Sequence, residues 1–291
     1  MRFLWAGCIL VFLVGCERAI DIKLKNSDPK LVVEATIENG EPPKVVLTNT
    51  VAYFSKISPQ ILSQSFVRHA EVYVSNGTLT HKLKEYAVPL GGGFSFYYYT
   101  VDSANLATAF TGQFNKQYTL RIMVNGEEYT ATTTIPNITR RVDSIWWKRL
   151  PAPEDSAKAA VVVRAYDPPG YGDYIRYLTS SNGGPFFAPE ASVFDDLFID
   201  GTSYEVQIQP GYDRNSDSTD KNFFKRGDTV TFKLSNIDKA TYDFWRTWEY
   251  SYSSIGNPFS TPIKIVGNIK GNALGYFGGY ATQYRTLIIP R

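Results

Sequence analysis

The feature that most constrains this chain is an alternation of apolar and polar residues, repeated in short runs from Leu31 onward. LVVEATIE, KVVLTN, AEVYVSNGTLTHKL, FSFYYYT and YTLRIMVNGEEYTATTTI change character at every second residue. Successive side chains of a strand point to opposite faces, so this period marks half-buried β-strands rather than amphipathic helices. Clusters of Gly, Pro, Asn and Ser separate the runs. Asn125-Gly126 predicts a two-residue type I′ hairpin, because that turn demands positive φ at both positions; Asn76-Gly77 reads as a second. Strands and turns at this spacing predict an immunoglobulin-like sandwich of two antiparallel sheets over residues 30–137.

Residues 138–291 continue in the same style. VDSIWWK, AAVVVRAY, DYIRYLTS, SYEVQIQ and DTVTFKL read as strands, and one helix follows. Asp238 stands at its N-cap, with Ile237 and Tyr242 as a hydrophobic staple around it. Tyr242, Trp245, Trp248 and Tyr252 then fall three to four residues apart, the spacing of a face that packs on a sheet. A glycine-rich tail, GNIKGNALGYFGGY, reads as aromatic loops before a last strand, TLIIP. The expected fold class is mostly β: two β-sandwich domains, the second with one short α-helix.

The N-terminus carries a different message. Arg2 precedes an uncharged apolar run from Phe3 to Gly15, too short for a membrane-spanning helix, which needs about 20 residues. It reads as a secretory signal. Leu13-Val14-Gly15-Cys16 resembles the lipobox of bacterial lipoproteins, so residues 1–15 are expected to be cleaved and the Cys16 sulfur to accept diacylglycerol. Several acyl chains, at about 0.8 kcal/mol per buried methylene, make such an anchor durable. Residues 16–29 read as a tether. Cys8 leaves with the signal, so no disulfide is expected. With 30 basic and 28 acidic residues, the chain lacks the basic excess of a nucleic-acid binder.

Sets of residues for chemistry are sparse. Two histidines, His69 and His81, are too few for the usual zinc sites. G-x-S-x-G is missing. Asp195-Asp196 is the adjacent carboxylate pair nearest to glycosidase chemistry, but neighbours in a strand diverge and a loop pair is ordinarily solvated. In DRNSDSTD, the residues Asp213, Asn215, Asp217 and Thr219 follow the one-three-five-seven spacing of a calcium loop. Ser218 replaces the turn glycine and Phe224 the bidentate glutamate, which favours a polar surface loop. No other cofactor, and no enzyme activity, is expected. Aromatics make up 15% of the chain, and adjacent rings must face both sides of a strand. Tyr98, Trp146, Tyr276 and Phe277 are therefore candidates to stack on a ligand or partner.

Several stretches taken together carry a resemblance: VVEATIENGEPPKVVLTNTVAYFS, YTLRIMVNGEEYTATTTIP with VDSIWW, AYDPPG with YIRY, GDTVTFKLSNIDKATYDFW, and the tail NPFSTPIKIVGNIKGNALGYFGGY. The chain resembles lipoproteins of domain-of-unknown-function family 4249 from Bacteroidota over nearly its whole mature length, with Asp173 standing where an asparagine is expected. The resemblance implies a lipid-anchored outer-membrane protein whose genes neighbour those of TonB-dependent transporters. The implied function is a non-catalytic accessory of such a barrel in nutrient uptake, on the cell surface or the periplasmic face. The alternative is a structural or assembly subunit of an envelope complex.

Overall fold

Strands form where alternation supplies one apolar face, and their arrangement follows from which faces can share a core. The computed structural model describes residues 28–51, 58–151, 156–216, 221–257, 259–261 and 263–291. Cys16 lies outside them, as do Asp217 and Thr219. The first half of the chain holds β1 (Leu31–Glu38), β2 (Lys44–Asn49), α1 (Pro59–Ser65), β3 (Glu71–Ser75), β4 (Thr80–Gly91), β5 (Phe94–Thr100), β6 (Lys116–Val124) and β7 (Glu127–Ile135). The second half holds β8 (Arg141–Arg149), β9 (Lys158–Tyr166), β10 (Tyr174–Ser181), β11 (Val193–Phe194), β12 (Ser203–Ile208), β13 (Phe224–Lys225), β14 (Thr229–Ile237), α2 (Lys239–Ser253) and β15 (Ala273–Ile288).

Hydrogen bonding links eleven strands in the order β11-β10-β14-β15-β1-β2-β5-β4-β3-β6-β7. β4 is the corner. Its Thr80–Leu83 segment pairs with β3, while Lys84 onward pairs with β5, so β3, β6 and β7 fold back over β1 and β2. Val33, Ala35 and Ile37 of β1, Leu47 of β2, Val72 of β3 and Leu120 and Ile122 of β6 fill the space between. A second, smaller sheet of β8, β9, β12 and β13 covers β10, β14 and the end of β15. Val161 and Val163 there meet Tyr177, Phe232 and Leu234.

β15 joins the two cores. Its first eight residues run parallel to β1, and its residues from Tyr280 onward run antiparallel to β14. Phe277 and Ala281 enter the first core, while Leu287, on the same face of the strand, and Ile289 just past its end reach the second. The folded-back part of β3, β6 and β7 and the four-stranded sheet are thus two smaller sheets that cover one face of the large sheet running through β10, β14, β15, β1 and β2. The opposite face carries α2 and the even-numbered side chains of β1 and β15.

The structure corrects the loop reading of the glycine-rich tail. Gly275-Tyr276-Phe277 is strand, and its glycines answer close approach of backbone. A Cβ on Gly279 would lie 2.5 Å from the Thr134 carbonyl oxygen, and one on Gly275, which has φ of +103°, would collide with the Val33 carbonyl. Where β14 stops, Asn268 takes over the ladder: its Nδ2 donates to the Phe277 carbonyl and its Oδ1 accepts from the Phe277 N–H, each at 2.8 Å. Nδ2 also donates to the Thr132 carbonyl of β7.

Local signals elsewhere fared unevenly. Asn125 and Gly126 both take positive φ, 53° and 80°. At Asn76-Gly77 only the glycine does, because Asn76 Oδ1 accepts from the N–H groups of Thr78 and Leu79 and builds a longer turn. Asp238 caps α2 through Thr241 N–H, and its second oxygen accepts from Thr133 Oγ1 and Thr134 N–H on β7. His81 is buried, its Nδ1 2.9 Å from Thr108 Oγ1 and its Nε2 accepting from Asp102 N–H.

Asn268→Ala leaves the Phe277 amide and carbonyl without partners, and an unsatisfied buried group costs about 1–3 kcal/mol. Urea denaturation should show a loss of stability of that order or more, and a change within error would contradict this role for the asparagine.

Candidate functional site

The uncovered face of the large sheet forms the floor of a cleft of about 590 Å³. Alternation in β1 sends Glu34, Thr36 and Glu38 to this side, opposite Val33, Ala35 and Ile37. Tyr276 and Tyr280 of β15 lie beside them. Lys233 of β14 and Arg176 of β10 complete the floor. One wall is α2, through Trp245, Trp248 and Tyr252. The other is a pair of loops carrying Phe186, Phe187, Tyr212 and Arg214.

Each wall is fixed by its own chemistry. Phe244 stacks on Tyr276 at 4.2 Å, and Trp245 Nε1 donates to Tyr280 Oη at 2.9 Å, which seats α2 on β15. On the loop side, Phe187 exchanges two backbone hydrogen bonds with Thr179, and Gly211 N–H donates to Thr179 Oγ1 at 2.6 Å. The loops touch so closely that a Cβ on Gly211 would collide with the Phe187 carbonyl. Lys233 pairs with Glu38, which also accepts from Tyr284 Oη.

Two arginines are held by aromatic faces. The Arg176 guanidinium lies 3.3 Å from the centroid of Trp245, and its Nε donates to Ser192 Oγ. Ser192 Oγ in turn donates to Glu249 Oε1, and Ser192 N–H donates to the same carboxylate. Arg214 lies 5.1 Å from Trp248, 4.9 Å from Tyr252 and 5.5 Å from Tyr212, and donates to the Pro189 carbonyl. Burial pushes the Glu249 carboxyl above the usual carboxylate range, against the Ser192 hydrogen bonds and the Arg176 and Arg214 charges. This arrangement offers aromatic faces and oriented N–H donors, which is recognition chemistry.

A second polar cluster lies at the junction of the two smaller sheets. One oxygen each from Asp167, Asp173 and Asp196 lie within 4.8 Å of one another. Asp167 Oδ2 has no hydrogen-bond partner, so these are the oxygens that a hard cation would use. Calcium takes about six to eight oxygen ligands, which this set does not reach. Arg140 already serves as the counter-charge, its Nε 2.7 Å from Asp167 with both side chains fully buried. Asp196 Oδ2 is spent on the N–H groups of Gly172 and Asp173. The cluster thus reads as a buried ion pair that ties three loops together. Burial raises the Asp173 carboxyl, with neighbouring Asp167 adding to the effect against a hydrogen bond from Thr139.

Comparison with known families places this architecture. The family model described as Domain of unknown function (DUF4249) matches residues 17–286. The chain belongs to the DUF4249 family. No curated protein matches it.

In this DUF4249 protein the residues singled out from sequence scatter. Tyr276 borders the cleft, whereas Phe277, its neighbour in an extended strand, is fully buried in the first core and offers no surface to a ligand. Tyr98 of β5 stacks with Phe96 of the same strand and Tyr86 of β4, under Lys44. Trp146 sits on β8 near Lys148 and Arg164. Neither reaches the cleft. Of the calcium-loop residues, Asp213 and Asn215 border the cleft, and Asp213 Oδ1 accepts the Asn215 N–H as in a turn. Asp195 accepts from Tyr242 Oη and Asp196 from backbone, so the adjacent pair diverges. The aromatic stripe of α2 does both jobs: Tyr242 is buried, while Trp245, Trp248 and Tyr252 line the cleft.

Sequence reasoning missed Arg176, Arg214 and Glu249. The alternation of DYIRYLTS already set Arg176 opposite Ile175 and Tyr177; nothing local marked Arg214 as its companion.

Glu249 and Asp173 hold their protons more tightly folded than unfolded. The stability they contribute is complete below their ordinary pKa values and is lost as pH rises through the folded ones. Glu249→Gln and Asp173→Asn should each flatten the fall in melting temperature as the pH rises from about 4, the ordinary carboxylate value. A slope unchanged from the parent chain would contradict the buried setting of that carboxyl.

Proposed function

We propose that this protein is a lipid-anchored outer-membrane lipoprotein of Bacteroidota, held through Cys16, whose cleft captures a small ligand as a non-catalytic partner of a TonB-dependent transporter in nutrient uptake. The observation that carries the binding role is the cleft itself: a preformed concavity within the usual range of about 300–1,000 Å³, walled by aromatic faces and fixed charges. The FLVGC sequence supports the anchor, and residues 16–29 supply a spacer between bilayer and fold. No described helix is long and apolar enough to cross a membrane, so attachment on this reading rests on the acylated cysteine.

A structural or assembly role is favoured by a different observation. Phe198 is 96% exposed beside Leu197, on a loop bonded through Asp196 and Asp200 to the loop carrying the exposed Tyr171. Such an apolar display suits contact with another protein. The two roles separate on whether the purified chain binds small molecules by itself.

The anchor is tested by expressing the full chain with a C-terminal tag and labelling cells with an alkyne fatty acid. Label on the parent chain, none on Cys16→Ser, and a shift of that variant out of the membrane fraction are expected. A parent chain without label, or a labelled Cys16→Ser, would overturn the anchor. Recovery of a TonB-dependent barrel with the tagged chain in mild detergent tests the partner, and its consistent absence counts against it.

A further inference from the structure

Resting on the reading of the cleft as a ligand site, its two arginines narrow what the ligand is. A guanidinium has five N–H donors in a planar fork. One donor on each is committed: Nε of Arg176 to Ser192, and one Nη of Arg214 to Pro189. Among the described residues, neither guanidinium forms an ion pair, in contrast to Lys233, Arg140 and Arg246, which do. The oxygens of Glu249, the acid bonded to Ser192, are turned to that residue rather than to either guanidinium.

Both guanidiniums are also preorganised. Arg176 is pressed on Trp245 and Arg214 lies over Trp248 and Tyr252, residues on successive turns of α2 whose indoles are 5.8 Å apart. Stacking of this kind holds the planar fork in place before any ligand arrives, so less side-chain freedom remains to be lost on binding. Planar forks with free donors match the paired oxygens of carboxylates and phosphates. We propose that the cleft binds a compact organic acid, its carboxylate or phosphate seated at Arg176 and Arg214 and its apolar or aromatic body against the rings of α2 and the facing loop.

The acids of the cleft set a limit on that class. Glu34 faces the cleft from β1, in register with Tyr276, and Asp213 faces it next to Arg214. A long polyanion laid across the floor would meet Glu34. A ligand with one anionic end avoids it.

The test uses the full chain in mild detergent and ligand-observed saturation-transfer NMR with three probes: indole-3-acetate, phenyl phosphate and the neutral indole-3-acetamide. At least one acid should bind, and the better of the two names the headgroup. The amide should bind about tenfold more weakly, the scale of one lost charge-assisted contact. Arg214→Gln and Arg176→Gln should each weaken the acid severalfold while the far-ultraviolet spectrum and cooperative thermal unfolding are retained. Added salt should weaken the acid and leave the amide unaffected.

Equal binding of acid and amide, or full acid binding by both glutamine variants, overturns the anion assignment. If Trp248→Ala then abolishes that binding, the cleft still stands as a ligand site. Binding of none of the three probes overturns the anion assignment and also removes the support for the cleft as a site.

Discussion

One strand holds this protein together. β15 spends its first half parallel to β1 and its second half antiparallel to β14. Because side chains alternate along it, a single face delivers Phe277 and Ala281 to one core and Leu287 to the other. The polar junction beside it is anchored by the same strand: Gln283 donates to the Arg140 carbonyl and accepts from Val142 N–H, where the chain passes from one small sheet to the next. Breaking a buried ion pair such as Arg140–Asp167 by removing one partner costs about 3–5 kcal/mol. The ion pair and the strand thus reinforce one seam.

The cleft is a by-product of that seam. Two small sheets cover one face of the large sheet, and the opposite face would be left open without α2. The helix covers only part of it, seated by Phe244 on Tyr276 and capped onto β7 through Asp238. The remaining strip is where β1, β15, β14 and β10 present their outward residues, and two loops close its far side. Floor residues from opposite ends of the sequence, such as Glu34 and Lys233, share a surface because β15 lies between their strands. A charged residue facing outward on any one of these strands looks like ordinary surface; together they line one cleft.

That difference in range explains what the sequence made legible. Period-two alternation is local, so nearly every strand from Leu31 to Ile237 could be placed, and the Asp238 cap with it. Asn125-Gly126 was readable for the same reason. Asn76-Gly77 marked a hairpin too, β3 pairing with β4 across it, but not its turn type, since the asparagine side chain competes for the backbone N–H groups of Thr78 and Leu79. The largest misreading was the tail. Glycine ordinarily signals a turn, and Gly275 and Gly279 are glycine because another backbone passes within van der Waals distance, a fact that exists only once the fold has formed. Arg176 and Arg214 belong to the same class: one sits mid-strand, the other in a polar loop, and their convergence on α2 is purely tertiary. Phe277 shows the converse, an aromatic in a promising stretch that the pleat turns into the core.

The dependence of both cores on β15 is tested most directly by native-state hydrogen exchange along that strand. If one strand ties the fold, amides in residues 273–280 and those in residues 281–288 should open with the same free energy and the same denaturant dependence, merging into a single global isotherm. Two separate isotherms, with the first half opening while the second stays protected, would contradict it and leave the cores as independent bodies.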